Sequence, residues 1–220
     1  YENGLPTFDD KVSVLGNGNY DFTLGFRNAF SYKNLSMSVL VDMKFGADVY
    51  SMSKMQSHVN GTSKETLEGR EGWYASEQAR LSANVDAKDW TPTGGYVGKG
   101  VKAVTDADGN VSYVPNDVYV DPAKYWQALQ NSSPEPFICD NSFVKLREVS
   151  LSYSCPKKWF VHTPIESVTL SAYGRNLLLI YSKVDNIDPE SSYNNGNGQG
   201  FEYGSLPSRR TFGFGINVKF

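Results

Sequence analysis

The chain has 220 residues, of which 24 are acidic and 21 are basic, so its formal net charge is −3 at pH 7. This balance lacks the basic excess of a nucleic-acid-binding protein. A transmembrane helix needs about 20 apolar residues in succession, and the longest strongly apolar run covers only residues 177–181. Helical spanning is therefore excluded, whereas membrane-spanning strands are not, because every second residue of such a strand can be polar.

The opening residues, 1–7, indicate a loop instead of the start of a domain. We therefore interpret 1–19 as the end of a loop and the chain as a fragment of a longer protein.

Residues 20–45 predict a hairpin of two long strands joined by a tight turn at Lys33-Asn34. Large apolar side chains share one parity, with Asn28 as the exception, and small or polar side chains share the other, except Leu40. Each strand exceeds ten residues, as a membrane-crossing strand does, whereas globular strands have about five or six. A sheet in a soluble protein is the alternative, and it requires a second layer over the apolar face. The lipid-facing candidates are Phe22, Leu24, Phe26, Val39 and Val41.

Residues 46–140 lose the alternation and are rich in Gly, Asn, Asp, Ser and Thr. The segment is too long for an ordinary connection and is therefore predicted to be a folded insertion. Asp121-Pro122 is typical of the start of a helix, which we extend to Leu129, and a second helix is placed within 64–82. Residues 101–104 and 111–114 predict a small hairpin.

Aromatic side chains are unusually frequent in this otherwise polar insertion, which holds three of the four Trp residues. Such rings stack on sugars or peptide side chains, and the alternative is that they form the insertion's own core or a contact with a partner protein. Arg175, on the polar parity of a later strand, is a further candidate. The candidate ligand or partner contacts are Trp73, Tyr74, Trp90, Tyr96, Trp126 and Arg175.

Three more long strands are predicted at 142–154, 167–179 and from residue 210 onward, with a polar loop at 181–208. In the last strand, large apolar side chains alternate with Gly and polar residues, the reverse of what a soluble sandwich needs on its outer face. Phe214 and Ile216 are therefore further lipid-facing candidates. Short and long connections alternate along the five strands, as in outer-membrane barrels.

We find no catalytic or metal-binding motif in the sequence. The acidic turn at 106–110 lacks the glycine and glutamate of a calcium loop, and His58 and His162 have no ligand or triad partners at suitable spacing. We predict no catalytic residue, metal site or cofactor. Cys139 and Cys155 lie at opposite ends of the third predicted strand, about 40 Å apart, so no disulfide is expected between them.

Several segments, taken together, resemble SusC/RagA-type TonB-dependent transporters. Residues 142–153 resemble the family's F-x-K-L-R strand and 174–178 its G-x-N-L-L strand end. Asp188-Pro-Glu190 resembles the G-x-D-P-E loop, with Asn186 at the usual Gly, and 206–220 resembles the family's terminus, with Leu206 at the usual Tyr. Three upstream segments fit in the same order: 15–17, 30–33 and 46–50.

The resemblance implies an all-β fold, namely an antiparallel transmembrane β-barrel segment that holds about the last five of 22 strands, with a large folded extracellular loop. It divides the chain into an extracellular loop end (1–19), a barrel hairpin (20–45), an extracellular insertion (46–140) and the last three strands (141–220) with the extracellular loop 181–208. Phe220 is then the C-terminal barrel-assembly signal.

The same resemblance implies a bacterial outer-membrane transporter, not an enzyme, that imports glycans or oligopeptides. Its expected partners are a SusD-like surface lipoprotein, the remaining barrel and plug of the transporter, TonB acting through that plug, and lipid. Two alternatives remain from the residues: a secreted β-sandwich that binds glycans, and a passive porin-like barrel.

Overall fold

The structure, a computed structural model, describes residues 1–7, 11–191, 196 and 198–220. The chain divides into two compact units. The first comprises Tyr1–Leu15 and Ser51–Phe137, and the second comprises Gly16–Tyr50 and Ile138–Phe220. Within the described ranges, no helix combines the length and the apolar character needed to cross a membrane.

The second unit contains a five-stranded antiparallel sheet whose strands follow each other in chain order. The five strands that the alternation predicts are all in this sheet. They are β1 (Phe22–Tyr32), β2 (Leu35–Phe45), β3 (Phe143–Ser154), β4 (Ser167–Ser182) and β5 (Thr211–Lys219).

The register of the sheet keeps side chains of one kind in the same row. One apolar row crosses all five strands through the paired residues Phe30, Met37, Leu151, Ala172 and Phe214. Residues that lie directly opposite each other in a ladder share a face, so the apolar parity of each strand forms one continuous surface.

The next row belongs to the other face and is polar or small throughout. It runs through Ser31, Ser36, Ser152, Ser171 and Gly215. The hydroxyls of Ser31 and Ser36 are 3.1 Å apart. Along these two rows one face is apolar and the other is polar, as the period of two predicts.

The apolar face is open in the structure. Phe214 is 86% exposed and Phe26 is 56% exposed, whereas Val39 and Val41, on an inner strand, are half-buried. All seven lipid-facing candidates lie on this one face. A soluble sandwich would cover such a surface with a second layer.

The first unit is built around three helices: α1 (Met52–Val59), α2 (Arg70–Ser82) and α3 (Pro122–Ser132). The Asp121 side chain caps α3 by accepting a hydrogen bond from Ala123 N at 2.9 Å, so the predicted helix start is confirmed, and the helix continues three residues beyond Leu129. A 3₁₀ turn at Lys64–Leu67 precedes α2. The predicted small hairpin is confirmed at Val101–Thr105 and Val111–Pro115.

Three short strands form a small sheet that the alternation does not predict: Asp48–Ser51, Ile138–Asp140 and Phe201–Glu202. The two ends of the predicted insertion thus pair with each other at 48–50 and 138–140, while 1–15 belongs to the same compact unit as 51–137. Part of the predicted loop 181–208, at 192–195 and 197, lies outside the described residues. Neither Cys139 nor Cys155 is in a disulfide, as expected.

Two glycines with the same backbone conformation provide a matched test of the first unit. Gly69, which precedes α2, has φ +81°, and a Cβ there would lie 2.5 Å from Tyr96 N, whereas Gly109 has φ +83° and open space around it. Alanine costs about 1 kcal/mol at either site because of the left-handed backbone. We expect Gly69→Ala to lower the free energy of unfolding by about 1–3 kcal/mol more, as measured by urea-dependent proteolysis within 51–137. Equal losses in the two variants would contradict the close packing at Gly69.

Candidate functional site

The polar face of the long-stranded sheet holds a cluster of buried charges centred on Lys145 of β3. Lys145 is only 4% exposed. Its ammonium donates to Asp188 Oδ1 at 3.1 Å, to Glu190 Oε2 at 2.7 Å and to Ser208 Oγ at 3.0 Å. An ammonium has three donors, so all of its hydrogen bonds are satisfied by the loop between β4 and β5.

Arg147, two residues further along β3, joins two neighbouring strands to the same loop. Its guanidinium binds both carboxylate oxygens of Glu190 at 2.6 and 2.8 Å and contacts Asp42 Oδ2 of β2 at 2.6 Å. Its Nη1 also donates to Asn176 Oδ1 of β4 at 2.7 Å. A bidentate guanidinium–carboxylate pair is both strong and directional. We call Asp42, Lys145, Arg147, Asp188, Glu190 and Ser208 the loop clamp.

A bulge in β3 allows this concentration of charge. Opposite β2, Leu146 pairs with Val41 and Glu148 pairs with Leu40, so Arg147 is the extra residue. A bulge redirects the side chains around it. As a result Arg147 and Glu148 both lie on the polar face, where Glu148 binds Arg175 Nε at 2.8 Å.

Asn176 supports the clamp from β4. It has φ +52°, a left-handed conformation that Asn tolerates better than most residues. Its carboxamide accepts from Arg147 and donates to Arg209 O at 3.0 Å. The side chain therefore connects Arg147 to the residues that lead into β5.

The two loop carboxylates of the clamp, Asp188 and Glu190, stay ionised through most of the pH range. Burial alone would raise the pKa of Asp188, but hydrogen bonds from the Ser208 hydroxyl and from the backbone N–H groups of Glu190 and Ser208 lower it to about 2. Burial likewise opposes ionisation of Glu190, and hydrogen bonds from Arg147 and Lys145 lower its pKa. These carboxylates are already neutralised and hydrogen-bonded, so the arrangement fixes a loop and activates no nucleophile. Among the described residues, no cluster of His, Cys, Asp or Glu is suited to hold a metal ion.

The aromatic candidates of the insertion fall into two groups. Tyr96 and Trp126 are each 8% exposed and pack against each other with ring centroids 5.6 Å apart. Tyr96 and Trp126 therefore lie in the core of the first unit, which favours the alternative that rings of the insertion form its own core. The rings are buried because they, together with Tyr125 and Leu129, are the apolar side chains around which this unit packs.

The remaining candidates keep accessible surface. Trp73 and Trp90 are half-buried, and Trp90 Nε1 donates to Ser76 Oγ at 3.1 Å. Tyr74 on α2 is 68% exposed. Arg175 is exposed and lies over the ring of Tyr173 at 5.1 Å while it binds Glu148. Phe220 follows β5 and is exposed, and its assembly role stays a prediction.

The loop clamp was not predicted from the sequence as a site. Lys145 and Arg147 occur in one motif of the family resemblance, at 142–153, and Asp188 and Glu190 occur in another, at 188–190. The available signal was their charge: two cations on the polar parity of a strand and two carboxylates in one short loop motif.

No protein-family model matches the chain, but individual known proteins are similar to it in sequence. Two TonB-dependent receptors of Formosa agariphila are 27% and 29% identical to it over 222 aligned positions, which cover 98% and 99% of the chain. The chain is thus similar over almost its whole length to TonB-dependent receptors. It spans 18% of the length of each of these two receptors.

Solved structures agree on the fold. A chain of the RagAB peptide transporter superposes with a TM-score of 0.54 at 18% identity, over 92% of this chain and 17% of that one. The RagAB peptide importer in its closed-closed state gives 0.57 at 17% identity, over 94% and 18%. These TonB-dependent receptors and transporters are not enzymes, in agreement with the lack of catalytic motifs in the sequence.

The pKa of Asp188 gives the clamp a defined pH dependence. A carboxyl group whose pKa is lowered on folding stabilises the folded state above its ordinary pKa, and this contribution disappears as the pH falls through the folded value. We expect the Ser208 amide, which donates to Asp188 Oδ2 at 2.7 Å, to lose hydrogen-exchange protection between about pH 4 and pH 2. After correction for intrinsic exchange, the loss corresponds to about 2 kcal/mol.

The control is Asp188→Asn, in which protection should already be reduced at pH 5 and vary little down to pH 2. A parent protein that remains equally protected at pH 5 and pH 2 would show that Asp188 does not hold the loop.

Proposed function

We propose that the chain forms part of the wall and the outer loops of a bacterial outer-membrane transporter that imports a solute with energy from TonB. The observation that carries this proposal is the register of the sheet. It gathers the large apolar side chains of five long strands on one open face and the polar side chains on the other. Lipid outside and a wet lumen inside require this division.

The connections support an orientation in the membrane. The turn at Lys33-Asn34 and the segment 155–166 leave from one end of the sheet, whereas 46–142 and 183–210 leave from the other. Outer-membrane barrels have short periplasmic turns and long extracellular loops. We therefore assign 1–19, the insertion 46–140 and the loop 181–208 to the extracellular side.

The solute class is proposed from the structural neighbours. RagAB is described as a peptide transporter, and we propose oligopeptides for this protein, with glycans as the alternative. The remaining barrel and the plug through which TonB acts would come from other parts of the whole protein. A SusD-like surface lipoprotein would contact the outer loops, for which Trp73, Tyr74 and Trp90 offer accessible rings.

Neither alternative explains the observations as well. A secreted β-sandwich would leave rings such as Phe214 exposed to water on a wide apolar surface, which soluble proteins avoid. A passive porin-like barrel does not explain why the chain is similar in sequence to TonB-dependent receptors.

Charge placed on the two faces of β2 tests contact with lipid. Val39 and Ser38 are adjacent in sequence but lie on opposite faces. We expect Val39→Arg to destabilise the folded protein in bilayers by about 2–4 kcal/mol near the midplane, and Phe214→Arg to act likewise. Ser38→Arg should cost much less, because it faces the polar side. Denaturant titration of the full-length protein in lipid vesicles measures the free energy of unfolding of each variant. Equal decreases for Val39→Arg and Ser38→Arg would refute a lipid-facing surface.

Labelling of intact cells tests the orientation. Single cysteines are introduced as Gly109→Cys, Gly198→Cys and Asn34→Cys in a protein without Cys139 and Cys155. An impermeant maleimide should modify the first two and leave Asn34→Cys unmodified until the outer membrane is broken. Modification of Asn34→Cys alone in intact cells would show that the proposed orientation is wrong.

A further inference from the structure

The first unit contains a cavity of about 500 Å³ beside the C-terminal half of α3. Its walls include Tyr125, Trp126, Leu129 and Phe137, with Ser133 at the helix end. Pockets that hold small ligands measure about 300–1,000 Å³ and are mostly apolar with a few polar groups. The volume and lining of this cavity match that description.

Most polar groups in the wall already have partners within the protein. His58 Nε2 lies 2.6 Å from Glu65 Oε2 and its Nδ1 lies 2.8 Å from Lys54 O, while the hydroxyls of Tyr125 and Tyr1 are 3.0 Å apart. The wall therefore offers chiefly apolar surface. Among the buried polar atoms of the wall, the indole Nε1 of Trp126 has no acceptor in the described part of the structure.

The orientation of the rings favours a side chain over a sugar. Stacking on a sugar needs an open ring face, but Tyr125, Trp126 and Phe137 are 5%, 8% and 1% exposed. The rings also pack against each other in tilted and edge-on contacts: the ring centroids of His58 and Trp126 are 4.7 Å apart, and Tyr125 stands perpendicular to Trp126 at 5.2 Å. Such a cavity encloses a compact apolar group instead of presenting a flat platform.

The mouth of the cavity carries charges of both signs. Lys99 lines it, and so do the carboxylates of Glu65 and Glu135, and all three residues are exposed. A peptide bears ammonium and carboxylate groups near its side chains, as well as carbonyl oxygens that accept hydrogen bonds, whereas a neutral glycan bears no charge.

We propose that this cavity binds one large apolar side chain, such as Phe, of an oligopeptide solute. The proposal rests on the proposed import of peptides. It assigns to the insertion a preference for one side chain along the peptide.

The test fills the cavity from its edge. Ser133→Trp places a large ring at a lining position, and Gln130→Trp places the same ring on an exposed position of α3 that does not line the cavity. Two fluorescent hexapeptides, identical except for Phe or Gly at one position, are titrated by fluorescence anisotropy against the full-length protein in detergent.

The parent protein should bind the Phe peptide about tenfold more tightly than the Gly peptide, as expected for burial of a large apolar side chain. Ser133→Trp should bring the ratio close to one and leave the affinity for the Gly peptide unchanged, which also shows that the variant is folded. Gln130→Trp should keep the parent ratio. Ser132→Phe, a smaller intrusion at the same helix end, replaces Ser133→Trp if that protein does not fold.

Each of the following outcomes would overturn the proposal. A tenfold preference that survives in the filled variants, or that is lost equally in Gln130→Trp, excludes the cavity as the site. A neutral oligosaccharide whose binding is abolished by Ser133→Trp replaces the peptide side chain with a sugar. If the parent protein binds neither peptide, peptide import itself is wrong, whereas binding of both without preference refutes only the role of the cavity.

Discussion

The position of the loop between β4 and β5 depends on the burial of the Lys145 ammonium. A buried charge without partners is strongly unfavourable, and removal of one partner of a buried pair costs about 3–5 kcal/mol. Lys145 lies on a strand, and among the described residues its only ion pairs are with Asp188 and Glu190. The loop must therefore fold back on the sheet, because only its carboxylates neutralise this charge.

The register of the sheet determines where that charge lies. A shift of one residue in pairing would exchange the faces of a whole strand, placing Lys145 among the rings of the apolar face. Pairing of Asp42 with Lys145 and the bulge at Arg147 fix the clamp on the polar face. The same register thus sets both the apolar surface and the site of loop attachment, so the two cannot vary independently.

Predictability followed the range of the interactions. A period of two is visible within one strand, so all five long strands were predictable, and Asp121-Pro122 identified the start of α3. Helix α1 escaped because it buries only Met55 and His58, too few positions to show a helical period. The clamp joins residues more than 40 positions apart, which no local pattern reveals. Burial of Tyr96 and accessibility of Tyr74 depend equally on tertiary packing, since composition treats the two rings alike.

Two sets of contacts hold the described residues of the loop between β4 and β5. The clamp fixes Asp188, Glu190 and Ser208, and the two-residue strand Phe201–Glu202 pairs with the small sheet. Glu202 is buried, and its Oε1 accepts from Gly204 N at 2.5 Å and Ser205 N at 3.1 Å. Residues that are already fixed by folding lose little further conformational entropy when a ligand binds to them.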